Sequence, residues 1–225
     1  MTDQPASDGV AVVIGATGGL GGALVSALEH TGRFKVVAFS RKSDPALDIE
    51  DENSIRLAAL HSARCGEIRL VVTATGFLHG GGFEPEKSWR SLDSAHMAKS
   101  FAINAIGPAL LMKHFLPLLP RTGRSVFAAL SAKVGSIADN HLGGWHSYRA
   151  SKAALNQLVR TAAIELKRSR PESICVAIHP GTVATALSAP FSKDRLSVQS
   201  PSEAARDIIM CLGRLEAKDS GGFCN

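Results

Sequence analysis

Apolar residues along this chain come in two alternating kinds of run. Val10–Ile14 is continuously apolar, rich in β-branched residues, and ends in glycines, the pattern of a strand buried on both faces of a parallel sheet. Gly19–Thr31 follows with Leu20, Ala23, Leu24, Ala27 and Leu28 at helical spacing, and Gly32 stands just past its end as a C-cap. The alternation repeats with a strand at Lys35–Phe39, a short stretch at 47–49, a helix at 51–63 and a strand at 68–74. Helices around 91–118, a strand at Ser125–Leu130, a helix at 147–168, a strand at 173–179 and a helix at 202–212 complete the series. Crossovers of this kind keep a sheet parallel, so the pattern predicts a three-layer, doubly wound, mostly parallel α/β fold.

The 225 residues, 45% of them hydrophobic, suffice for a sizeable core, and a single domain over residues 1–225 is expected. The loosest segments, 80–87 and 188–200, fall within two stretches, about 77–95 and 184–200, that read as loops over a ligand. Residues 221–225 look like the opening of another strand, so the natural chain is expected to run past Asn225.

Charge and cysteine usage narrow the function classes. The net charge of +5 comes from 25 basic residues scattered among 20 acidic ones, without the basic stripe of a nucleic-acid partner. Cys65, Cys175, Cys211 and Cys224 lie far apart, which argues against a zinc site or a disulfide framework. His79, His141, His146 and His179 share no helical spacing, and no metal is expected. The polar N-terminus lacks the order of a secretory signal, and no apolar run approaches the roughly 18 residues of a spanning helix. The expected protein is cytoplasmic, without a membrane partner.

Between the first strand and its helix stands Gly15-Ala16-Thr17-Gly18-Gly19-Leu20-Gly21, with glycines at the first, fifth and seventh positions of GxxxGxG. Glycine serves where the backbone must turn sharply and approach a pyrophosphate held by amides at a helix N-terminus. The location makes this a dinucleotide-binding turn of the Rossmann kind. After the second strand, where an NAD site usually carries a carboxylate for the ribose, the chain has Ser40-Arg41-Lys42. Arg41 offers a forked contact to a 2′-phosphate and Ser40 a hydroxyl, so NADP(H) is the expected cofactor, with NAD(H) as the other candidate.

Tyr148-Arg149-Ala150-Ser151-Lys152 places a tyrosine and a lysine four residues apart, on one face near the start of a long helix. A phenol is a weak acid–base catalyst at neutral pH. A neighbouring ammonium and a positive nicotinamide ring both favour the phenolate and are expected to lower its pKa. Tyr148 is the only tyrosine in the chain.

With GxxxGxG, YxxxK and the late Pro180-Gly181 in this order across nearly its whole length, the sequence resembles the short-chain dehydrogenase/reductase family, in its compact C-factor-like branch. The resemblance implies that Tyr148 exchanges the proton of the substrate oxygen, while Lys152 binds the nicotinamide ribose. Asn104 matches the asparagine that supports a proton-relay water. By the same resemblance Gly15, Thr17, Gly18, Gly19, Leu20 and Gly21 form the turn, Asp48 and Ile49 lie along the adenine, and Gly76 lines the cofactor. Pro180, Gly181, Thr182, Val183 and Thr185 would hold the carboxamide and a phosphate.

Two departures stand out. The family's Asn-Asn-Ala-Gly is Thr73-Ala74-Thr75-Gly76 here, and the substrate-orienting serine falls on Ala132 in Ser131-Ala132-Lys133-Val134-Gly135. Neighbouring strand residues face opposite ways, so Ser131 substitutes only if the strand has ended or bulged there, and Ser136 is the second candidate. Ser131 is the expected replacement.

Phe77, Leu78, Phe83, Leu187 and Phe191 could supply an apolar pocket, and Trp145 and His146 precede Tyr148 where a substrate wall would stand. Ala, Leu and Ile surround much of the helix at 100–119 and of the Tyr148 helix, which suits a helix-to-helix interface. The resemblance implies a homodimer or homotetramer. The expected function is reversible hydride transfer between NADP(H) and a small carbonyl or alcohol substrate. The alternative, raised by the C-factor-like branch, is a non-catalytic, NAD(P)-binding signalling protein.

Overall fold

Each continuous apolar run becomes a strand, and the ends fall where glycines or polar residues interrupt the run. In the computed structural model, which describes residues 8–191 and 198–224, these are β1 (Val10–Ile14), β2 (Lys35–Phe39), β3 (Ile68–Thr73), β4 (Ser125–Leu130) and β5 (Ser173–Ile178). β6 (Thr182–Val183), β7 (Val198–Gln199) and β8 (Phe223–Cys224) are two-residue strands. The main sheet has the order β2-β1-β3-β4-β5-β8, and every neighbouring pair is parallel. β6 and β7 pair in a separate small sheet.

The helices are α1 (Gly19–Thr31), α2 (Glu52–Cys65), α3 (Ser94–Phe101), α4 (Gly107–Phe115), α5 (His146–Lys167) and α6 (Pro201–Arg214). Strand side chains alternate, so each strand feeds two cores. Ala11, Val13, Ala128 and Val176 pack with Leu24 and Leu28 of α1 and Ile208 and Leu212 of α6. Val12, Ile14, Phe127 and Cys175 pack with Ile55 of α2, Leu111 and Phe115 of α4, and Leu155 and Val159 of α5. The result is the expected three-layer, doubly wound α/β sheet. Residues 221–225 were expected to open a further strand, and Phe223 and Cys224 do pair with Ala177 and Ile178 of β5; Asn225 lies outside the described residues.

Local chemistry sets several boundaries. Asp51 caps α2 by accepting from the Asn53 amide, so that helix starts one residue later than the periodicity suggests. Ser200 and Glu203 cap α6 reciprocally, and Pro201 fills its first position. The stretch 47–49 is not a strand. Its Leu47 amide donates to Ser40 O, closing a loop, while Leu47 and Ile49 are buried in the core.

The helical region at 91–118 is more broken than its periodicity predicts. A 3-10 turn (Trp89–Ser91) precedes α3, and a π-helical turn (Ala102–Ile106) joins α3 to α4. By length and composition alone, the continuous helical stretch Ser94–Leu118 is long and apolar enough to cross a membrane, although polar residues such as Lys99, Asn104 and Lys113 interrupt its apolar run. Leu111, Met112 and Phe115 pack in the core. Lys99 and Lys113 form ion pairs with Glu50 and Glu52 at 2.7 and 2.6 Å.

Candidate active site

The order β2-β1-β3 means that the chain leaves β1 in one direction and returns to the sheet on its other side. That reversal opens a crevice at the carboxyl ends of β1 and β3, the place where open α/β sheets bind ligands. The glycine turn sits there. Gly15 adopts φ +90°, and a Cβ on it would come within 2.9 Å of Ala74 O at the end of β3. A Cβ on Gly21 would collide with Gly15 O, so this glycine brings α1 against the turn. No side chain caps Gly18, and Thr17, Gly18 and Gly19 are exposed, while Leu20, in the first turn of α1, is buried in the core. Thr185 stands over this turn, its Cγ2 3.3 Å from where a Gly19 Cβ would be.

The neighbouring loop begins at the end of β2. Ser40 is buried and its hydroxyl accepts from the Lys42 amide, while Arg41 is exposed and has no partner among the described residues. Asp48 turns its carboxylate back to the Glu50 amide, and Ile49 packs against Gly107. Gly76 lies near Leu187 and Asn104. Pro180 is half-buried, Gly181 has φ +77°, and Val183 points into the core.

Tyr148 and Lys152 lie on the first turns of α5. The Lys152 ammonium is buried, donates to Leu130 O at 2.9 Å, and lies 5.9 Å from the centre of the Tyr148 ring. Burial dominates both groups. It pushes the Tyr148 phenol up to about 12 and pulls Lys152 down to about 8. In the protein alone, desolvation therefore moves Tyr148 opposite to the expected lowering.

Ser131 extends the β4 ladder by one residue, its amide donating to Ile178 O at 2.7 Å. Its hydroxyl donates to Asn156 Oδ1 at 2.7 Å, one turn beyond Lys152 on α5. Ala132 is buried, and the Ser136 hydroxyl accepts from the Asp139 amide. Asn104 occupies the π-helical turn, a distortion often kept at functional sites. It is fully buried. Its Oδ1 accepts from Phe77 N, and its Nδ2 donates to Phe77 O and to Ser151 Oγ.

The apolar residues converge as an aromatic wall. Trp145 meets Tyr148 and Phe191 edge-on at 6.2 and 5.2 Å, and Phe191 meets His79 at 5.3 Å. Phe77 and Phe83 instead surround His96, with Phe83 stacked on it at 5.1 Å. The loop expected at 184–200 contributes Phe191 here, while Leu187 lies by Gly76; residues 192–197 lie outside the described residues.

One residue absent from the sequence-level reading is Glu86. It is buried, accepts from the Ser147 amide and hydroxyl, and faces His96. Desolvation raises its pKa, but the bonds from Ser147, its own backbone and the charge of His96 outweigh that and hold the carboxyl below its usual range. The signal available in the sequence was negative: α5 opens after Trp145, with no side-chain cap and no acidic residue in its first turn.

Sheet, switch point and Tyr–Lys pair together define an α/β protein with a crevice of the kind that binds dinucleotides. The family model described as enoyl-(acyl carrier protein) reductase matches residues 7–208. The C-signal of Myxococcus xanthus is 35% identical over 133 residues, 59% of this chain and 75% of that protein. The 1-hydroxy-2-glutathionyl-2-methyl-3-butene dehydrogenase of Rhodococcus sp. (strain AD45) is 31% identical over 180 residues, 80% of this chain and 75% of that one. An NADPH-bound carbonyl reductase from chicken fatty liver superposes with TM-score 0.81 at 26% identity, covering 96% of this chain and 91% of that chain. The chain belongs to the short-chain dehydrogenase/reductase family of oxidoreductases.

Proposed function

We propose that this protein is an NADP(H)-dependent oxidoreductase that interconverts a carbonyl and an alcohol, with Tyr148 as the acid and base. The observation that carries this reading is the Tyr148–Lys152 pair on the first turns of α5, beside the carboxyl end of β4.

The residues present fit the cofactor. The uncapped N-terminus of α1 and the close approach that Gly15 and Gly21 allow suit a pyrophosphate, and Thr185 adds a hydroxyl over that turn. Arg41, exposed and without a partner among the described residues, suits a 2′-phosphate, which favours NADP(H) over NAD(H). The NADPH of the chicken reductase supports the same choice. When bound, this cofactor supplies or accepts the hydride at the substrate carbon.

Tyr148 is protonated at neutral pH, the form that reduction needs, and burial pushes its pKa further up, to about 12. It gives its proton to the substrate oxygen, and the Lys152 ammonium stabilises the phenolate that remains. Leu130 O holds that ammonium in place. Asn104 fixes Phe77 and Ser151 at the rim and, by family resemblance, carries the water that returns a proton. Ser131 serves by locking the end of β4 to α5 through Asn156. The aromatic wall of Trp145, Phe191 and His79 suits a small substrate with an apolar side. Ile106, Leu158 and Ile164 are exposed on the outer helices and support a homo-oligomer through that layer.

Fluorescence titration with NADPH and NADH, followed by turnover against ketones, aldehydes and quinones, tests the reading, with Tyr148→Phe as the control. NADPH-preferring turnover that the variant loses supports it. Tight binding without turnover on any carbonyl favours the second reading, a dinucleotide-binding signalling protein, for which the 35% identity to C-signal speaks.

A further inference from the structure

The first turn of α5 must hold Tyr148 still, yet the sequence gives that turn no cap of its own. Trp145, at the N-cap, is left-handed (φ 53°, ψ 40°), a conformation costly for a bulky residue, and its side chain caps nothing. A helix start leaves its first amides without intrahelical partners, and leaving them buried and unpaired is expensive. Here the partner comes from the distant substrate loop. Both carboxylate oxygens of Glu86 accept from the Ser147 amide, at 3.3 and 3.2 Å, and one also accepts from the Ser147 hydroxyl. The Glu86 carbonyl accepts from the Trp145 amide at 2.5 Å. Glu86 therefore spans the two residues at the helix start, one of them directly before Tyr148.

Its own position is fixed from a third element. His96 of α3 presents Nδ1 to the carboxylate at 3.5 Å, and both side chains are almost fully buried, at 3% and 2% exposure. Phe83 stacks on His96 and Phe77 meets it edge-on. Phe77 is in turn clasped by Asn104, which also bonds Ser151, whose hydroxyl donates to Tyr148 O. Two side chains, Glu86 and Asn104, thus tie the substrate loop to the turn that carries the tyrosine. A negative group at the positive end of a long helix adds to the hold.

We infer that Glu86 is a positioning residue for Tyr148, acting through the first turn of α5 and coupling the substrate loop to the acid–base group. This rests on the oxidoreductase reading above. A side chain that sets the reach of a proton donor affects turnover far more than cofactor affinity, because the glycine turn lies at the end of a different strand.

The test uses Glu86→Gln, which keeps one accepting oxygen, Glu86→Ala, which keeps none, and Ser147→Ala alone and combined with each. Because Tyr148 is the only tyrosine, one ring-labelled tyrosine NMR signal reports its environment without any turnover. Expected are a fall in kcat of about 10- to 100-fold, larger for Ala than for Gln, and a displaced or broadened tyrosine signal. NADPH affinity should stay within about twofold of the parent, and the Glu86 and Ser147 effects on kcat should be non-additive. A parental kcat and tyrosine signal in Glu86→Gln and Glu86→Ala overturns the inference. So does a loss of kcat matched by equal losses of NADPH affinity and Tm, which marks a merely structural role. If the parent protein turns over no carbonyl, the oxidoreductase reading fails by itself. The tyrosine signal then still decides whether Glu86 holds that ring.

Discussion

The two halves of the crevice are built on different principles. On the side of β1 and β2, the crevice is lined by the glycine turn and the loop after β2, whose backbone conformation is set mainly within a few residues of sequence. On the side of β4, α5 and the loop before α3, the rim is made of side chains that meet across long stretches of chain. Glu86 and Ser147 are 61 residues apart, and His79 reaches the carbonyl of Ala186 across 107. Local conformation constrains residue type on the first side, whereas on the second only the assembled fold brings partners together.

Substitutions on either side sharpen this contrast. The largest effect is expected from Tyr148→Phe, which removes the proposed proton donor but keeps the ring. Turnover should fall by about 10²- to 10⁴-fold while NADPH titration is little changed. If turnover survives, the acid lies elsewhere on the rim. Gly21→Val should cost several kcal/mol of stability, about 3 or more, because its side chain has only the Gly15 backbone to displace. Denaturant unfolding checks this, and a mild effect would show that the turn yields more than its packing implies.

Titration of Lys152 reports on the boundary between the halves. Its folded pKa of about 8 lies below the 10.5 of the free side chain, so from pH 8 to 10.5 the unfolded chain holds a proton that the folded chain has lost. Stability from this group therefore rises with pH across that window, by about 3 kcal/mol. Above pH 10, Tyr148 gives the opposite slope, because the folded protein keeps a proton up to about 12 that the unfolded chain releases. Melting curves against pH should flatten below pH 10 in Lys152→Met.

Arg41→Ala is expected to weaken NADPH by about 10- to 100-fold and leave NADH unchanged, as befits loss of one charge-assisted phosphate contact. Equal effects on both cofactors would remove Arg41 from 2′-phosphate recognition. The smallest effect is expected from Ser131→Ala, with about 1 kcal/mol of stability lost with the Asn156 bond and less than about tenfold in turnover. A larger kinetic loss would make Ser131 a substrate contact.

The same contrast explains what could be read from the chain alone. Strands β1 to β5 were legible because buried parallel strands are continuously apolar, and α1 because its apolar positions repeat every three or four residues. The glycine turn and the Tyr148–Lys152 pair were legible because each is a local spacing. The stretch 47–49 had no assigned element in the sequence because two apolar residues are too few to show a period, and both are buried in a loop. The π-helical turn was invisible, since 3.6-residue periodicity on either side conceals a local change of pitch. The direction of Ser131 depended on whether β4 stopped at Leu130, which is decided by the Ile178 carbonyl and not by the serine's neighbours. Glu86 sits among Glu84, Pro85 and Lys87 and looks like any solvated loop charge.

The π-helical turn at Ala102–Ile106 also restricts how this region can change length. An α-helix advances about 100° per residue, so deleting the extra residue would turn everything after it by that angle relative to α3. Leu111, Met112 and Phe115 would leave the core, and Lys113, now paired with Glu52, would swing with them. Asn104 would lose its grip on Phe77 at the same time. Insertions and deletions here thus break the core and the crevice together, so any change of chain length is expected in the loops at either end of Ser94–Leu118, not within it.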